Sequence, residues 1–305
     1  MSAATLARIR TDYDAVMKGP VGLPGVRNPD GTEAGVVSGI LRAGLDVYAN
    51  VRPVSTMVGA SGAGEATGAR RAIDYVIVRE NTEGLYASRG LGIGNDRVRV
   101  DQLLVTREGV ERVVRFAFHL ARTRVGAPAD GKRRVTCVDK SNVLRSYALF
   151  RSVFDEVATE FPDVERDYRY ADAAGHDLVA APEWFDVLVM ENFLGDILSD
   201  VGAATVGGLG MCGTANIGDR YAYFEPVHGS APALAGSDQA NPTAQILAAA
   251  MMLDHLGERS AATAVRRAVR DAFAGGMVRL ADSGCPEGGT RAFTRAVIGV
   301  LAART

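Results

Sequence analysis

The chain has 305 residues, 47% hydrophobic and 23% charged, with 34 basic side chains against 36 acidic ones and a formal net charge of −2. With no Lys/Arg block, charge gives no footing for a nucleic-acid partner or an anionic membrane surface. No run of about 18 apolar residues occurs and the N-terminus lacks a signal-peptide core, so a cytoplasmic protein with no membrane partner is expected.

Residues 2–10 predict a short helix, and Asp14–Met17 a strand closed by Lys18-Gly-Pro-Val-Gly22. Residues 23–32 hold Pro, Gly, Asn and Asp and read as a loop. A helix pattern covers 33–46, with Val36, Val37, Ile40, Leu41 and Leu45 at its apolar positions. The strand Val47–Val51 follows and ends at Arg52-Pro53. Residues 55–71 are rich in Gly and Ala and read as a connection; Gly59–Gly64 within it does not match the dinucleotide fingerprint. Tyr75–Val78 is a strand that delivers Arg79-Glu-Asn-Thr-Glu-Gly-Leu-Tyr86, and Val98–Val105 predicts another. Residues 107–124 form an amphipathic helix. Val135–Val138 is a strand ending at Asp139-Lys140-Ser141-Asn142, followed by a long helix to residue 160. Tyr168–Ala171 is a strand leading to Asp172. The three scattered cysteines, Cys137, Cys212 and Cys285, make neither a disulfide framework nor a C-x-x-C site and are expected as buried thiols.

The chain is organised around residues 184–200. Phe185 to Met190 is a short apolar run suited to a buried strand, and Glu191-Asn192 breaks it. A helix pattern follows with Asp196 and Asp200 four residues apart. At about 100° per residue that spacing sets both carboxylates on one helical face, where they repel unless a cation intervenes. Carboxylate oxygens suit a hard ion such as Mg²⁺ or Mn²⁺. A bare D-x-x-x-D is more often two solvated aspartates; its place just past a buried strand in an α/β pattern shifts the balance.

Beyond Asp200, Gly208, Gly210 and Gly213 match G-x-G-x-x-G, but Thr-Ala-Asn-Ile-Gly-Asp follows rather than a helix, which excludes a Rossmann site there. Phe224-Glu-Pro-Val-His-Gly-Ser-Ala-Pro232 and Ala240-Asn-Pro-Thr243 come next. Helices over 243–256, 259–275 and 291–303 close an α/β chain.

The string Glu-Asn-Phe-Leu-Gly-Asp196-Ile-Leu-Ser-Asp200 resembles the signature of the β-decarboxylating dehydrogenases, the isocitrate/isopropylmalate dehydrogenase family, which includes isocitrate, homoisocitrate and tartrate/malate enzymes. The resemblance covers most of the chain. It implies two lobes around a mixed sheet, one of residues 1–48 and 207–305 and the other of 49–206 carrying a dimer contact. It also implies a first strand and a Gly-Asp-Gly-Ile-Gly loop ahead of Asp14 that this sequence lacks, which raises a non-catalytic regulatory or scaffold homologue as the rival expectation.

By resemblance, Arg42, Arg52 and Arg79 bind substrate carboxylates, a task suited to the guanidinium fork. Ser38 and Asn142 lie near the substrate. Lys140 resembles the general base and Tyr86 the acid that reprotonates the enol carbon. The metal falls to Asp196, Asp200 and Asp172, with Asp172 and Lys140 donated across a homodimer that shares its active sites. The cofactor loop comprises Glu225, His228, Gly229, Ser230 and Ala231, with Asn241 nearby. NAD is the default, with NADP left open, because Ala233-Leu234 carries neither the acid of NAD-using relatives nor the Lys-Tyr pair of NADP-using ones. The expected reaction is oxidative decarboxylation of a 3-substituted malate. In Gly35-Val-Val-Ser-Gly-Ile-Leu41, Val36 and Val37 favour the apolar group of 3-isopropylmalate; the Glu-Asn-Thr-Glu-Gly-Leu-Tyr form leans to the isocitrate, homoisocitrate and tartrate branches.

Overall fold

Alternate residues of the buried strands point to opposite sides of one sheet, and that alternation sets a three-layer architecture. A computed structural model describes residues 1–23, 25–29, 31–34, 37–57 and 72–303. In chain order the elements are α1 (Ala3–Asp12), β1 (Val16–Met17), α2 (Val37–Leu45), β2 (Ala49–Ser55), β3 (Asp74–Glu80), β4 (Ile93–Asn95), β5 (Val98–Val100) and α3 (Arg107–Thr123). They continue as β6 (Arg134–Asp139), α4 (Arg145–Ala158), β7 (Glu165–Tyr170), α5 (Ala171–Ala180), β8 (Val187–Met190) and α6 (Asn192–Ala204). The last are β9 (Gly213–Ile217), β10 (Ala222–Pro226), α7 (Thr243–His255), α8 (Arg259–Ala274) and α9 (Thr290–Ala302).

Eight strands form one mixed sheet in the order β1-β10-β9-β2-β3-β8-β6-β7. The β3, β8, β6 and β7 strands run parallel, whereas β10, β9, β2 and β3 pair antiparallel. Val76, Val78, Val187 and Val189 pack to one side with α3 and α4; Tyr75, Ile77, Leu188 and Met190 pack to the other with residues of α5, α6, α8 and α9. Strands β1, β10 and β9 come from residues 1–48 and 207–305, the other five from 49–206, and the two groups meet where β9 pairs with β2. Among the described residues, no helix is long and apolar enough to cross a membrane.

Several expectations are corrected. Strand β2 does not end at Arg52-Pro53 but runs to Ser55, because its register with β3 continues from Ala49↔Glu80 to Ser55↔Asp74. Pro53 is tolerated because β9 covers only Ala49–Val51, so the missing N–H falls where the strand has a single neighbour. The helix expected from residue 33 is described from Val37; Glu33 instead bridges Arg27 across a small loop, and Gly35 and Val36 lie outside the described residues. The Gly59–Gly64 run and most of the 55–71 connection lie outside them too. The strand expected over 98–105 is the short exposed hairpin β4-β5. Strand β7 spans Glu165–Tyr170 rather than residues 168–171; Asp172 follows its end as expected, and sits in the first turn of α5. Cys137 and Cys212 are buried, but Cys285 is only partly so, lying in a turn rather than in the core. Gly208–Gly213 passes through a short 3-10 turn into β9, and no helix follows.

Candidate active site

Two consecutive strand–helix junctions build the site. Buried Glu191 caps α6, accepting from Phe193 N at 2.9 Å and Leu194 N at 3.3 Å. The same carboxylate accepts from Leu85 N at 3.0 Å and from the Tyr147 hydroxyl at 3.0 Å, so it ties the start of α6 to the segment that carries Tyr86. Gly84 makes this approach possible: its φ is +81°, and a Cβ there would fall within 3 Å of the Glu191 side chain. Helix α6 then projects Asp196 and Asp200 from successive turns, beside β3 and β2.

The Arg79 guanidinium, sealed at the end of β3, pairs with Asp196 Oδ1 and donates through Nε to Asn192 Oδ1 at 2.9 Å. Arg52, equally buried, lies 3.5 Å from Asp196 Oδ1 and 3.6 Å from Asp200 Oδ1, and donates to Ser199 Oγ. Tyr86 donates its hydroxyl proton to Asp196 Oδ2 at 2.7 Å. Arg42 reaches in from α2, with its buried Nε lacking a hydrogen-bond partner. Ser38, Arg42, Arg79, Tyr86 and Asp196 line one open cleft of about 880 Å³, together with Thr32, Glu33, Glu83, Arg89 and Asp101.

The charges respond to these placements. Burial pushes the Asp196 carboxyl up, but Arg79, Arg52 and the Tyr86 hydroxyl outweigh it and hold the group below the usual carboxylate range. Asp200 goes the other way: burial and the neighbouring Asp196 raise it more than Arg52 lowers it. Burial, then Arg42 and Arg52, pull Arg79 below its ordinary value, though a guanidinium so paired stays charged. Burial and the Asp196 anion push Tyr86 up to about 12, so it is a proton-bearing acid at neutral pH. Three guanidinium groups gather beside two carboxylates, an arrangement suited to binding carboxylate groups.

The other expected residues lie elsewhere on the chain. Lys140, in the turn after β6, pairs with Asp172 Oδ1 at 2.6 Å; Asn142 is exposed beside it. The turn is pinned by buried Asp139, which accepts from Ser141 N and from Arg151. None of Lys140, Asn142 and Asp172 lines the cleft. Among the described residues, no group of three acidic, His or Cys side chains within this one chain is placed to hold a metal. Asp196 and Asp200 fit a hard cation in part: both offer carboxylate oxygens from one helical face, and the described residues place no third acid beside them.

The expected cofactor loop leaves β10. Glu225 is buried there, paired with Lys18 and accepting from Asn216 Nδ2 at 3.3 Å. His228 is half-buried; Ser230 donates to Gly22 O at 2.6 Å, and Ala231 holds a left-handed φ of +43°. A Cβ on Gly229 would meet nothing within 4 Å, so the backbone is open to a phosphate-sized group. Asn241 Oδ1 accepts from Thr243 N at 3.0 Å, at the start of α7. Sequence reasoning missed Lys18, Asn50, Asn81, Asn192, Ser199 and Asn216. For Asn50 the available signal was a polar residue inside a strand that otherwise reads as buried; Lys18 and Asn81 lie just past strand ends, Asn192 and Ser199 in α6, and Asn216 in β9.

Comparison with known proteins bears on the family and the fold. The sequence model described as isocitrate/isopropylmalate dehydrogenase matches residues 1–297. The 3-isopropylmalate/3-methylmalate dehydrogenase of Methanocaldococcus jannaschii is 45% identical over 267 residues, which is 87% of this chain and 75% of that one. The homoisocitrate dehydrogenase of the same organism is 42% identical over 236 residues, 75% of this chain and 65% of that one. The crystal structure of isocitrate dehydrogenase from Methylococcus capsulatus superposes with a TM-score of 0.84 at 39% identity, covering 99% of this chain and 85% of its own.

Proposed function

The chain belongs to the isocitrate/isopropylmalate dehydrogenase family, and on that footing we propose that it oxidatively decarboxylates a 3-substituted malate, using NAD and Mg²⁺ or Mn²⁺. It is a decarboxylating hydroxyacid dehydrogenase, with 3-isopropylmalate the first substrate to test. The observation that carries this reading is the convergence of Arg42, Arg52 and Arg79 on Asp196, with Tyr86 on the same carboxylate. In this reading Arg42 and Arg79 bind substrate carboxylates in bidentate fashion, and Arg52 supports them from behind. Asp196 and Asp200, completed by Asp172 of the partner subunit in a homodimer, would hold the divalent ion. Glu225 and the His228–Ala231 loop, with Asn241, would hold NAD. When bound, NAD supplies the hydride acceptor, and the ion polarises the hydroxyl and steadies the enolate. Lys140 of the partner subunit takes the hydroxyl proton, and Tyr86 returns a proton to the carbon that CO₂ has left.

A second reading, isocitrate or homoisocitrate, draws on Thr32, Ser38 and Arg89, which line the cleft beside the aliphatic Ala43, Leu85 and Ala87. NADH absorbance measured with Mn²⁺ across isopropylmalate, isocitrate, homoisocitrate, tartrate and malate separates the two. Turnover on the first alone selects the first reading, and silence on all five removes both.

A further inference from the structure

A buried chain of side-chain contacts runs beneath the sheet from the cofactor-side acid to the substrate-side arginine. Lys18 pairs with Glu225 Oε2, and Glu225 Oε1 accepts from Asn216 Nδ2 at 3.3 Å. Asn216 Oδ1 accepts from Asn50 Nδ2 at 2.7 Å and from Asn81 Nδ2 at 3.0 Å, and Asn50 Oδ1 accepts from Arg52 Nε at 2.7 Å. Asn50 and Asn216 are wholly buried, so no water competes for these groups.

The two ends dictate the order between them. A guanidinium only donates and an ionised carboxylate only accepts. The amides between must therefore stack head to tail, oxygens toward Arg52 and nitrogens toward Glu225, as they do. Asparagine alone among side chains of this length offers both ends; aspartate at 216 would set acceptor against acceptor. Both lone pairs of Asn216 Oδ1 are filled, so the amide has no second orientation of equal energy.

We infer that Asn216 is a positioning residue that couples the cofactor side of the site to its substrate side, transmitting any shift of Glu225 through Asn50 to Arg52. Strands β10, β9 and β2 are adjacent in the sheet and contribute Glu225, Asn216 and the pair Asn50 and Arg52 in turn, so the path between them crosses no loop. The inference rests on the dehydrogenase reading above, because it takes Glu225 to serve the NAD side and Arg52 to support, through Asp196, the arginines that bind the hydroxy acid.

The test is calorimetric and needs no turnover. The dissociation constant of malate is measured with Mn²⁺, with and without saturating NADH, which cannot accept a hydride, on the wild-type protein and on Asn216→Ser and Asn50→Ser, which break the chain on either side of one link. In the wild type NADH is expected to change malate affinity about fivefold or more, the lower end of ordinary coupling; in both variants the ratio is expected to fall close to one. Binding without coupling in the wild type, or unchanged coupling in the variants, overturns the inference and leaves the dehydrogenase reading standing. Failure of the wild type to bind either ligand removes both. If one serine variant does not fold, the other decides. If neither folds, the chain is architectural and the inference falls.

Discussion

Arg79 and Asp196 form an ion pair that is sealed on one side only: the arginine side chain is 1% exposed, the aspartate 38%. Removing the carboxylate strands a cation with no route to water. Asp196→Asn is expected to lower stability by about 1–3 kcal/mol, less than a fully buried pair because solvent already screens the acid. Asp196 is held below its unfolded value, so its contribution is present above the ordinary carboxylate range near ~3.9 and is lost as pH falls through the lower folded value. Urea titrations should show a constant gap between wild type and variant from pH 7 to 5 that closes below pH 4.

Asp200 carries the opposite sign. Its folded value is raised, so its ionised form opposes folding; that penalty is full above the folded value and fades as pH drops toward the unfolded one. Asp200→Asn should raise the unfolding midpoint of the ligand-free protein at pH 7, by under about 1 kcal/mol because the side chain is half exposed. Adding Mn²⁺ should then stabilise the wild type and not the variant. Differential scanning calorimetry reads both effects, and a variant that still gains from Mn²⁺ would remove Asp200 from the ion site.

Tyr86→Phe deletes the hydroxyl that donates to Asp196 and leaves the ring, which meets Phe193 edge-on at 5.9 Å. Stability should change little. Turnover should fall by about 10²–10⁴, the usual worth of a positioned acid. Because the hydroxyl is pushed up to about 12, the alkaline limb of the wild-type rate profile should lie below that value and should persist in the variant. Disappearance of the limb in Tyr86→Phe would assign the titration to the tyrosine and contradict its placement.

Lys140 and Asp196 make a test of sharing across a dimer. Lys140 bonds Asp172, and Asp196 bonds the arginines and Tyr86; the two groups have no partner in common. Lys140→Ala should abolish turnover while Mn²⁺ still binds. Mixing inactive Lys140→Ala with inactive Asp196→Asn, then allowing subunits to exchange, should recover about a quarter of wild-type activity. Half of the randomly paired dimers are mixed, and each holds one intact site of two. No recovery from folded, exchanging subunits would place both residues in a site made by one chain.

What the sequence disclosed and what it concealed follow from range. The α3 helix, the β8 strand and the α6 helix announce themselves by local periodicity, and with them Asp196 and Asp200 on one face. The β9 strand, Gly-Thr-Ala-Asn-Ile, has no β-branched run; its neighbours β10 and β2 make it a strand, which is a long-range fact. The α5 helix stayed hidden because it begins at Ala171 directly after strand β7 with no capping side chain, so Asp172 read as a strand end. The Asn50–Asn216 bond joins residues 166 positions apart. A local pattern could place Asn50 in a strand, but neither Asn216 in one nor the two opposite each other.

Gly195 stands over Arg79: a Cβ added there would come within 2.6 Å of the arginine's Cβ and Cγ. At this point α6 lies so close to the aliphatic stem of Arg79 that only a hydrogen fits between them. Glycine at 195 works as a dimensional stop. Enlarging it by one carbon would displace the arginine that pairs with Asp196 without altering a single charge, which separates where the cation sits from whether it is present.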